Sequence, residues 1–153
     1  MTRPYFDIRQ LGAADIATFR EMLAVMGEAF EDVLTYTRAQ PDDAYLTRLL
    51  SGSSFVALAA IADGRVIGGL AAYELQKFEQ ARSEFYIYDL AVDEAHRRMG
   101  VATALIEGLK PIAAARGAYV IFVQADPPDE PAVRLYTKLG IREDVLHFDI
   151  AVR

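Results

Sequence analysis

Residues 96–105 have the composition of a phosphate-binding loop. They read His-Arg-Arg-Met-Gly-Val-Ala-Thr-Ala-Leu and lie between an apolar run that ends at Val92 and a helical run that begins near Val101. A glycine-bearing turn that opens a helix presents unpaired backbone N–H groups at the positive end of the helix dipole, and these groups bind phosphate without any particular side chain. The small residues Gly100 and Ala102 let a ligand approach the backbone closely. An ordinary strand–turn–helix connection with exposed arginines is the alternative.

A single carboxylate, Asp89, interrupts the apolar run that precedes this loop. A buried aspartate is costly unless it is paired or faces a solvated cleft. In a cleft it could attract a cation and accept a proton from an amine, directly or through water. A structural ion pair or a hydrogen bond is the alternative. Glu84, five residues earlier, would lie on the other face of a regular strand, so its claim is weaker.

Other carboxylates could surround a polycationic substrate. One group follows a buried apolar run, at the end of a strand where open α/β sheets bind ligands. The candidates are Asp126, Asp129 and Glu130 in that group, with Asp149, Glu79 and Asp32 elsewhere. An acidic loop is most often only solvated, so each assignment stays open.

The composition bounds the class of protein. A chain of 153 residues with 53% hydrophobic and 25% charged residues is typical of one globular domain, predicted over 1–153. The net charge of −6 argues against general affinity for nucleic acid or anionic membrane, and suits a cationic partner. No apolar run has membrane-spanning length and the first residues lack a signal-peptide core, which predicts a cytoplasmic protein.

Cysteine and histidine are scarce. With no cysteine, we expect no disulfide, no thiolate metal site and no acyl-cysteine intermediate. The two histidines, His96 and His147, lack the spacing of metal ligands, so no metal is predicted.

Hydrophobic periodicity and turn residues predict the elements that must position these residues. Strands are predicted at 5–9, 55–61, 65–75, 84–92, 118–124 and 145–152, and helices at 14–30, from Pro41 to near Gly52, from Val101 to Gly117, and at 130–139. Asp63-Gly64 is a hairpin turn, and residues 118–124 look like a fully buried strand. A meander followed by crossover units predicts an α/β fold with a mixed, partly parallel sheet of about six or seven strands and about four flanking helices.

Together these segments resemble the GNAT superfamily of acetyl-CoA-dependent N-acetyltransferases, and within it the type I aminoglycoside 3-N-acetyltransferases. The resemblance covers about residues 32–150. It rests on the spacing Arg97-x-x-Gly100-x-Ala102, on Tyr-Ile-Tyr-Asp-Leu-Ala-Val at 86–92, on Lys-Phe-Glu-Gln at 77–80, and on residues 79–84, 117–121, 132–140 and 147–150. Ala102 stands where the superfamily usually has glycine. The Tyr-Ile-Tyr-Asp strand and the Lys-Phe-Glu-Gln loop narrow the resemblance to the acetyltransferases that act on aminoglycosides.

The resemblance implies the GNAT fold, acetyl-CoA as co-substrate and an aminoglycoside as substrate. Acetyl transfer would occur at the 3-amino group by direct attack in a ternary complex and would confer resistance, and a homodimer is plausible. Asp89 would handle the amine, and Tyr136 would protonate the sulfur of CoA, whereas packing beside Leu135 and Leu139 is the alternative for Tyr136. Tyr88 joins the carboxylates named above as a substrate contact. The cofactor contacts would be Leu90, Ala91, Val92, Arg97, Arg98, Met99, Gly100, Val101, Ala102 and Thr103.

Two rival functions remain open. One is acetylation of another amine, such as a polyamine or a protein N-terminus. The other is a non-catalytic acyl-CoA-binding sensor, which would keep the Arg97 loop but could dispense with Asp89 and Tyr136. Both of these residues are present, which weighs mildly against a sensor.

Overall fold

A computed structural model describes residues 5–153. The strands are β1 (Asp7–Leu11), β2 (Phe55–Ala62), β3 (Arg65–Gln76), β4 (Ser83–Val92) and β5 (Ala118–Val123). The α-helices are α1 (Ile16–Ala29), α2 (Val33–Thr37), α3 (Asp43–Ser51), α4 (Val101–Ala115) and α5 (Glu130–Leu139). The chain divides into two compact units, one up to Val123 and one from Gln124. The prediction of a single domain over 1–153 stays a prediction, and its first four residues lie outside the described ones.

The larger unit is built on a sheet with the order β1-β2-β3-β4-β5. Strands β1 to β4 pair antiparallel, and β5 pairs parallel to β4. This confirms the predicted mixed, partly parallel α/β sheet. The described residues form five strands and five α-helices, against the six or seven strands and four helices expected.

The predicted terminal strand at 145–152 was wrong, because residues 141–153 form no strand. The apolar alternation there is real, with Leu146, Phe148 and Ile150 on alternate positions. Alternation indicates only that a segment could be a half-buried strand, whereas a strand also needs a neighbour with which to exchange backbone hydrogen bonds. Residues 118–123 also differ from the prediction of full burial, since Tyr119 is 50% exposed. As the last strand of the sheet, β5 has a neighbour on one side only.

Two adjacent glycines let helices approach the middle of the sheet. A Cβ at Gly69 would lie 2.3 Å from the Cγ of Met22 on α1, and a Cβ at Gly68 would lie 3.2 Å from Cγ1 of Val101. Met22 and Val101 are both almost fully buried. Because Val101 is the first residue of α4, its packing against β3 fixes the start of that helix beside the end of β4.

Several local predictions are confirmed. Asp63 and Gly64 both have positive φ, 49° and 75°, as a two-residue type I′ hairpin requires. Helix α4 begins at Val101, and Gly117, with φ of 80°, follows its end. The second predicted helix is displaced by two residues from Pro41, because Asp42 is its N-cap and accepts a hydrogen bond from the Tyr45 backbone. Helix α2 was not predicted.

The C-terminal unit contains α5 and the segment that follows it. Asp129 is the N-cap of α5, and its side chain accepts a hydrogen bond from the Ala132 backbone N–H. The apolar side chains of the following segment are exposed, with Ile141 at 99% and Ile150 at 87%. No helix among the described residues is long and apolar enough to cross a membrane.

Candidate active site

Strand β4 carries a β-bulge at Tyr88. Ile87 and Asp89 pair with adjacent residues of β3, so that Tyr88 has no partner residue there. Neighbouring side chains of a regular strand point to opposite faces, and the extra residue of a bulge interrupts that alternation. The Tyr88 ring contacts Tyr73, and the Asp89 carboxylate contacts Tyr36 of α2. The two consecutive side chains therefore share one face of the sheet.

Asp89 is half-buried. The hydroxyl of Tyr36 donates a 2.7 Å hydrogen bond to its Oδ2 atom. Burial raises the pKa of Asp89, and the hydrogen bond from Tyr36 opposes that rise. No Lys, Arg or His in the described part of the chain forms an ion pair with it. A carboxylate with a raised pKa and no cationic partner is suited to bind a cationic group and accept its proton.

An aromatic row runs across this face beside Asp89. We define it by the consecutive ring contacts Phe55–Tyr73 (5.2 Å), Tyr73–Tyr88 (5.9 Å), Tyr88–Tyr86 (5.7 Å) and Tyr86–Phe122 (4.6 Å between centroids). Phe55 also contacts Phe19 of α1, so the row lies on the face that packs against α1. Tyr88 is 64% exposed, and its ring is available to a ligand. Aromatic faces attract cations.

Burial is the main reason that the pKa values of Tyr73 and Tyr86 are raised, with smaller contributions from neighbouring acidic groups. Their hydroxyl groups therefore stay protonated at neutral pH. The aromatic row is a surface of neutral rings next to one carboxylate.

Among the residues described, the second half of strand β4, from Tyr88 to Val92, has no neighbouring strand on the side where β5 pairs with its first half. Strand β5 pairs with it only over residues 83–87, whereas β3 follows it as far as Val92. Within residues 5–153, no strand pairs with 88–92 on the β5 side. An extended ligand could add there as another strand would. Three of the predicted cofactor contacts lie in this stretch, where their backbone groups face the missing neighbour: Leu90, Ala91 and Val92.

The loop between β4 and α4 enters the left-handed region twice, at Arg98 with φ of 62° and at Gly100 with φ of 82°. Gly100 is the N-cap of α4 and provides no side chain to cap it. The first N–H groups of an α-helix have no partner within the helix. A Cβ at Gly100 would meet no protein atom within 4 Å, so the space beside Gly100 at the start of the helix is open. The N–H groups concerned belong to Val101, Ala102 and Thr103.

The side chains of this loop are exposed. Arg97 donates a hydrogen bond from Nε to the carbonyl oxygen of Val92, at 3.3 Å, and so ties the loop to the end of β4. Arg98 and Met99 are exposed, as is Arg97. The loop therefore places two positive charges beside the N-terminus of α4, where they add to the helix dipole.

Two of the predicted substrate carboxylates, Asp32 and Glu79, belong to the larger unit. Asp32 lies close to Tyr36, the partner of Asp89, whereas Glu79 is paired with basic residues of its own loop. Asp32 precedes α2 and accepts a hydrogen bond from Thr35. Glu79 forms ion pairs with Lys77 at 3.5 Å and Arg82 at 3.7 Å, so its charge is already offset. The geometry favours Asp32 over Glu79 as a substrate carboxylate.

Glu84 and Asp89 are not separated by a regular strand as the sequence suggested. The bulge places Asp89 on the same face as the even-numbered residues before it, including Glu84. Glu84 nevertheless forms an ion pair with Lys77 at 2.7 Å and accepts a hydrogen bond from Tyr119. The Lys77 hydrogen bond is the main cause that lowers the pKa of Glu84, and this residue is the poorer proton acceptor.

The remaining predicted residues belong to the C-terminal unit. Asp126, Asp129 and Glu130 are exposed at the start of α5, where the helix dipole favours negative charge. The backbone N–H of Asp129 bonds to the carbonyl of Asp126, so these two form one turn. Tyr136 is half-buried on α5. Asp149 is exposed, and its Oδ1 atom lies 3.0 Å from Nε2 of His147.

Sequence reasoning missed Tyr36 and Tyr73. The pattern Asp32-x-x-Thr35 could have indicated the start of α2, because aspartate is a favoured residue before a helix. No local signal shows that Tyr36 meets Asp89, which lies 53 positions further along the chain. Among the described residues there is no cluster of His, Cys, Asp and Glu that could hold a metal ion, and His96 instead contacts Asp93.

The fold and this arrangement identify the class of protein. Residues 20–141 match the acetyltransferase (GNAT) family. Because the match covers most of the chain, the protein belongs to that family, and the predicted GNAT fold is confirmed. A search of the curated proteins found no match.

Solved structures narrow the similarity. The chain is 61% identical to an aminoglycoside acetyltransferase, HMB0005, from an uncultured soil metagenomic sample, with 97% of this chain and 99% of that chain covered and a TM-score of 0.95. It is 28% identical to the aminoglycoside acetyltransferase meta-AAC0020 from an uncultured soil metagenomic sample, solved in complex with sisomicin, with 97% of each chain covered and a TM-score of 0.89. It is also 26% identical to a ribosomal-protein-alanine N-acetyltransferase from Brucella melitensis biovar Abortus 2308, covering 97% of this chain and 99% of that one, with a TM-score of 0.74.

Proposed function

We propose that this protein transfers an acetyl group from acetyl-CoA to the 3-amino group of an aminoglycoside, directly within a ternary complex, and thereby confers resistance. The observation that carries the proposal is Asp89. It is a half-buried carboxylate with a raised pKa and no cationic partner among residues 5–153. It also adjoins both the unpaired end of β4 and the aromatic row.

The residues present fit acetyl-CoA. The N-terminus of α4 offers backbone N–H groups beside open space at Gly100, which suits a pyrophosphate. The unpaired end of β4 suits an extended amide chain. Acetyl-CoA, when bound, supplies an acetyl group activated as a thioester.

The chain itself has to prepare the amine. An aminoglycoside amine is mostly protonated at neutral pH and must lose a proton before it can attack. The Asp89 carboxylate holds the ammonium group and accepts that proton, directly or through water. A backbone N–H group at the Tyr88 bulge polarises the carbonyl that is attacked. As the N–C bond forms and the C–S bond breaks, the hydroxyl of Tyr136 donates a proton to the sulfur, the role that the family resemblance gives it.

The substrate class is supported by the relatives and by charge. The 61% identical relative is an aminoglycoside acetyltransferase, and the relative solved with sisomicin is another. The net charge of −6 favours a polycation. We assign the substrate contacts to Tyr88 and to the carboxylates Asp32, Asp126, Asp129, Glu130 and Asp149, with Glu79 the weakest candidate because it is ion-paired.

We also propose a homodimer in the cytoplasm, where acetyl-CoA is available. The C-terminal unit exposes apolar side chains that a second copy could cover, and exposed apolar patches often mark protein interfaces. Leu146 is 84% exposed and Val152 95%. Sedimentation equilibrium tests the dimer, and a monomer at micromolar concentration would contradict it.

An assay of CoA thiol release from acetyl-CoA tests the function. The acceptors are sisomicin, gentamicin, spermidine and a peptide with a free N-terminal alanine, and NMR of the product locates the acetyl group. Release that requires an aminoglycoside, with acetylation at the 3-amino group, is the expected result. Acetylation at another amino group of the drug would overturn the regiochemistry alone.

Two outcomes select the rival functions. The similarity to a ribosomal-protein-alanine N-acetyltransferase makes the peptide a real competitor, and release with the peptide or spermidine only would replace the aminoglycoside. Tight acetyl-CoA binding without release for any acceptor would indicate a sensor. Asp89→Asn serves as the matched control in each assay, because it keeps the side-chain shape and removes the charge.

A further inference from the structure

Helix α2 is only five residues long, yet it is held firmly against α1. The backbone N–H of Asp32 donates to the carbonyl of Gly27 at 2.8 Å. A Cβ at Gly27 would lie 3.1 Å from the Cα of Val33 and 3.2 Å from the Cβ of Tyr36. A glycine at position 27 therefore lets α2 pack directly on the end of α1, and this packing brings Tyr36 over the sheet.

The backbone, the ring and the hydroxyl of Tyr36 each have a partner. Its ring packs 5.7 Å from the ring of Phe30, and the Gln40 side chain donates to its backbone carbonyl at 3.0 Å. Its hydroxyl donates to Oδ2 of Asp89 at 2.7 Å. This hydrogen bond engages Oδ2 of the Asp89 carboxylate. The second oxygen, Oδ1, points away from Tyr36.

We propose that Tyr36 is a positioning residue for the acetyl transfer, which holds the Asp89 carboxylate by Oδ2 so that Oδ1 faces the substrate amine. The inference rests on the proposed function. The terminal torsion of an aspartate side chain is broad, and a rigid donor on one carboxylate oxygen narrows it and fixes the direction in which the other oxygen points. A displacement of a catalytic group by about 1 Å from its reacting position can reduce the rate strongly.

The surroundings of Asp89 make this hydrogen bond the main polar influence on it. The groups that face it are Tyr36 from α2, with Asp32 beside it, Tyr73 from β3, and Tyr86 and Tyr88 from β4. All of these are neutral or acidic. Burial first, and then the bond to Asp89 and the charges of Asp89 and Asp32, raise the pKa of Tyr36, so its hydroxyl remains a donor at every pH at which the enzyme would act.

Removal of the hydroxyl has a directional effect on Asp89. The Tyr36 hydrogen bond lowers the pKa of Asp89 against the effect of burial. In Tyr36→Phe that opposing contribution is lost, and the pKa of Asp89 rises further. The acidic limb of the pH profile of kcat/KM must then move to higher pH, because Asp89 accepts a proton only when it is ionised.

The experiment compares Tyr36→Phe with Tyr45→Phe, a tyrosine of α3 that is 51% exposed and has no contact with Asp89. We expect Tyr36→Phe to lower kcat by about ten- to a hundredfold, the range for loss of a hydrogen bond to a charged group. The KM for acetyl-CoA should not change. The acidic limb should shift to higher pH, and Tyr45→Phe should match the wild type. Unchanged kcat and an unshifted limb would overturn the proposal.

A double-mutant cycle separates positioning from a structural effect. If Tyr36 acts through Asp89, Tyr36→Phe should cost less than threefold in kcat when Asp89 is already Asn, because there is no base left to orient. The full loss in that background would show a role that does not pass through Asp89 and would overturn the proposal. Thermal unfolding of each variant identifies any that does not fold.

A titration of Asp89 by carbon NMR needs no substrate and keeps this proposal distinct from the proposed function. If no acceptor is acetylated, the function fails. The Asp89 pKa of wild type and Tyr36→Phe still reports whether the hydrogen bond holds the carboxylate. An unchanged pKa between these two proteins would overturn the role of Tyr36 whatever the activity.

Discussion

Tyr88 and Asp89 are consecutive residues of β4, and their side chains lie on the same face of the sheet. The Tyr88 ring joins the aromatic row through Tyr73 and Tyr86, and the Asp89 carboxylate accepts the hydrogen bond from Tyr36. The bulge at Tyr88 is the cause. Bulges are frequent beside active sites, because they redirect a side chain without ending the strand. Here the bulge puts a ring and a carboxylate side by side on one face, as the proposed substrate site requires.

Deletion of Tyr88 tests this relationship. The residues on either side already pair with adjacent residues of β3, so the shortened strand can form a regular ladder, and Asp89 stays opposite Ala71. We expect a folded protein whose Tm lies within a few degrees of the wild type and whose kcat/KM for the aminoglycoside falls at least about tenfold. A deletion variant with full activity would show that the bulge has no part in the site.

Replacement of Asp89 by Asn removes charge and basicity and keeps the shape. General-base catalysis typically contributes about 10²–10⁴-fold, and we expect a loss of kcat in that range. Acetyl-CoA affinity should be unchanged, because its predicted contacts on β4 are backbone groups. Steady-state kinetics at saturating drug make the measurement. If saturation restores full turnover, Asp89 only binds the substrate and the proton acceptor is water or another residue.

Replacement of Gly100 tests the backbone site at the start of α4. Gly100→Val adds a Cβ into the open space in front of the helix and strains a left-handed residue, at a cost of about 1–2 kcal/mol. Gly64→Val is the matched control, because Gly64 also has positive φ and open space around it but lies at the β2–β3 turn. Both variants should lose stability, whereas only Gly100→Val should weaken acetyl-CoA binding in calorimetry.

Arg98→Ala completes this comparison. It removes one exposed charge and leaves the backbone N–H groups in place, so its effect on acetyl-CoA affinity should be smaller than that of Gly100→Val. A larger effect of the arginine substitution would indicate that side-chain charge, and not the backbone, holds the phosphates.

The acidic residues of the C-terminal unit should govern drug affinity and its salt dependence. Asp126→Asn, Asp129→Asn and Asp149→Asn should each raise the KM for the drug and spare that for acetyl-CoA. Asparagine also caps helices, so Asp129→Asn keeps the start of α5. Added salt should weaken drug binding more steeply than acetyl-CoA binding, because several charges on the drug meet carboxylates. A drug KM insensitive to both would place the substrate elsewhere.

Glu79→Gln is the internal comparison for that series. Glu79 is paired with Lys77 and Arg82, so its charge is already offset and its loss should change the drug KM less than the loss of Asp126. The opposite order would mean that the substrate displaces those two cations.

Those parts of the fold that local chemistry specifies could be predicted from sequence. The Asp63-Gly64 hairpin and the glycine-bearing start of α4 each depend on a few adjacent residues, and both are where they were expected. The position of the bulge at Tyr88 could not be predicted, because a bulge is a mismatch between β4 and a partner strand. The Tyr36–Asp89 contact depends in the same way on packing at Gly27.

The terminal segment shows the opposite limit. Its apolar alternation predicted a strand at 145–152, but a periodic pattern carries no information about which edge, if any, is available for pairing. Asp89 itself could be selected as a candidate from sequence because a charged residue inside an apolar run stands out whatever surrounds it. Its proposed positioning residue, Tyr36, is an ordinary residue in its own segment.

The difference in the free energy of unfolding between Asp89→Asn and the wild type should increase with pH, as expected for a carboxylate that does not stabilise the fold. Burial raises the pKa of Asp89 in the folded protein above its ordinary value, and the Tyr36 hydrogen bond offsets only part of that rise. The folded state therefore binds more protons than the unfolded state between those two pKa values, and this residue lowers the free energy of unfolding as pH rises through that window. Below the unfolded pKa the penalty is absent, and above the folded pKa it is complete.

Asparagine carries no charge at any pH and escapes this penalty. Asp89→Asn should therefore be more stable than the wild type at pH 7, and its advantage should shrink as the pH falls through the folded pKa and disappear below about pH 4, near the ordinary value for aspartate. Urea unfolding of both proteins from pH 3.5 to 8 makes the measurement. A variant less stable than the wild type at pH 7 would mean that the ionised Asp89 stabilises the fold and is a structural carboxylate.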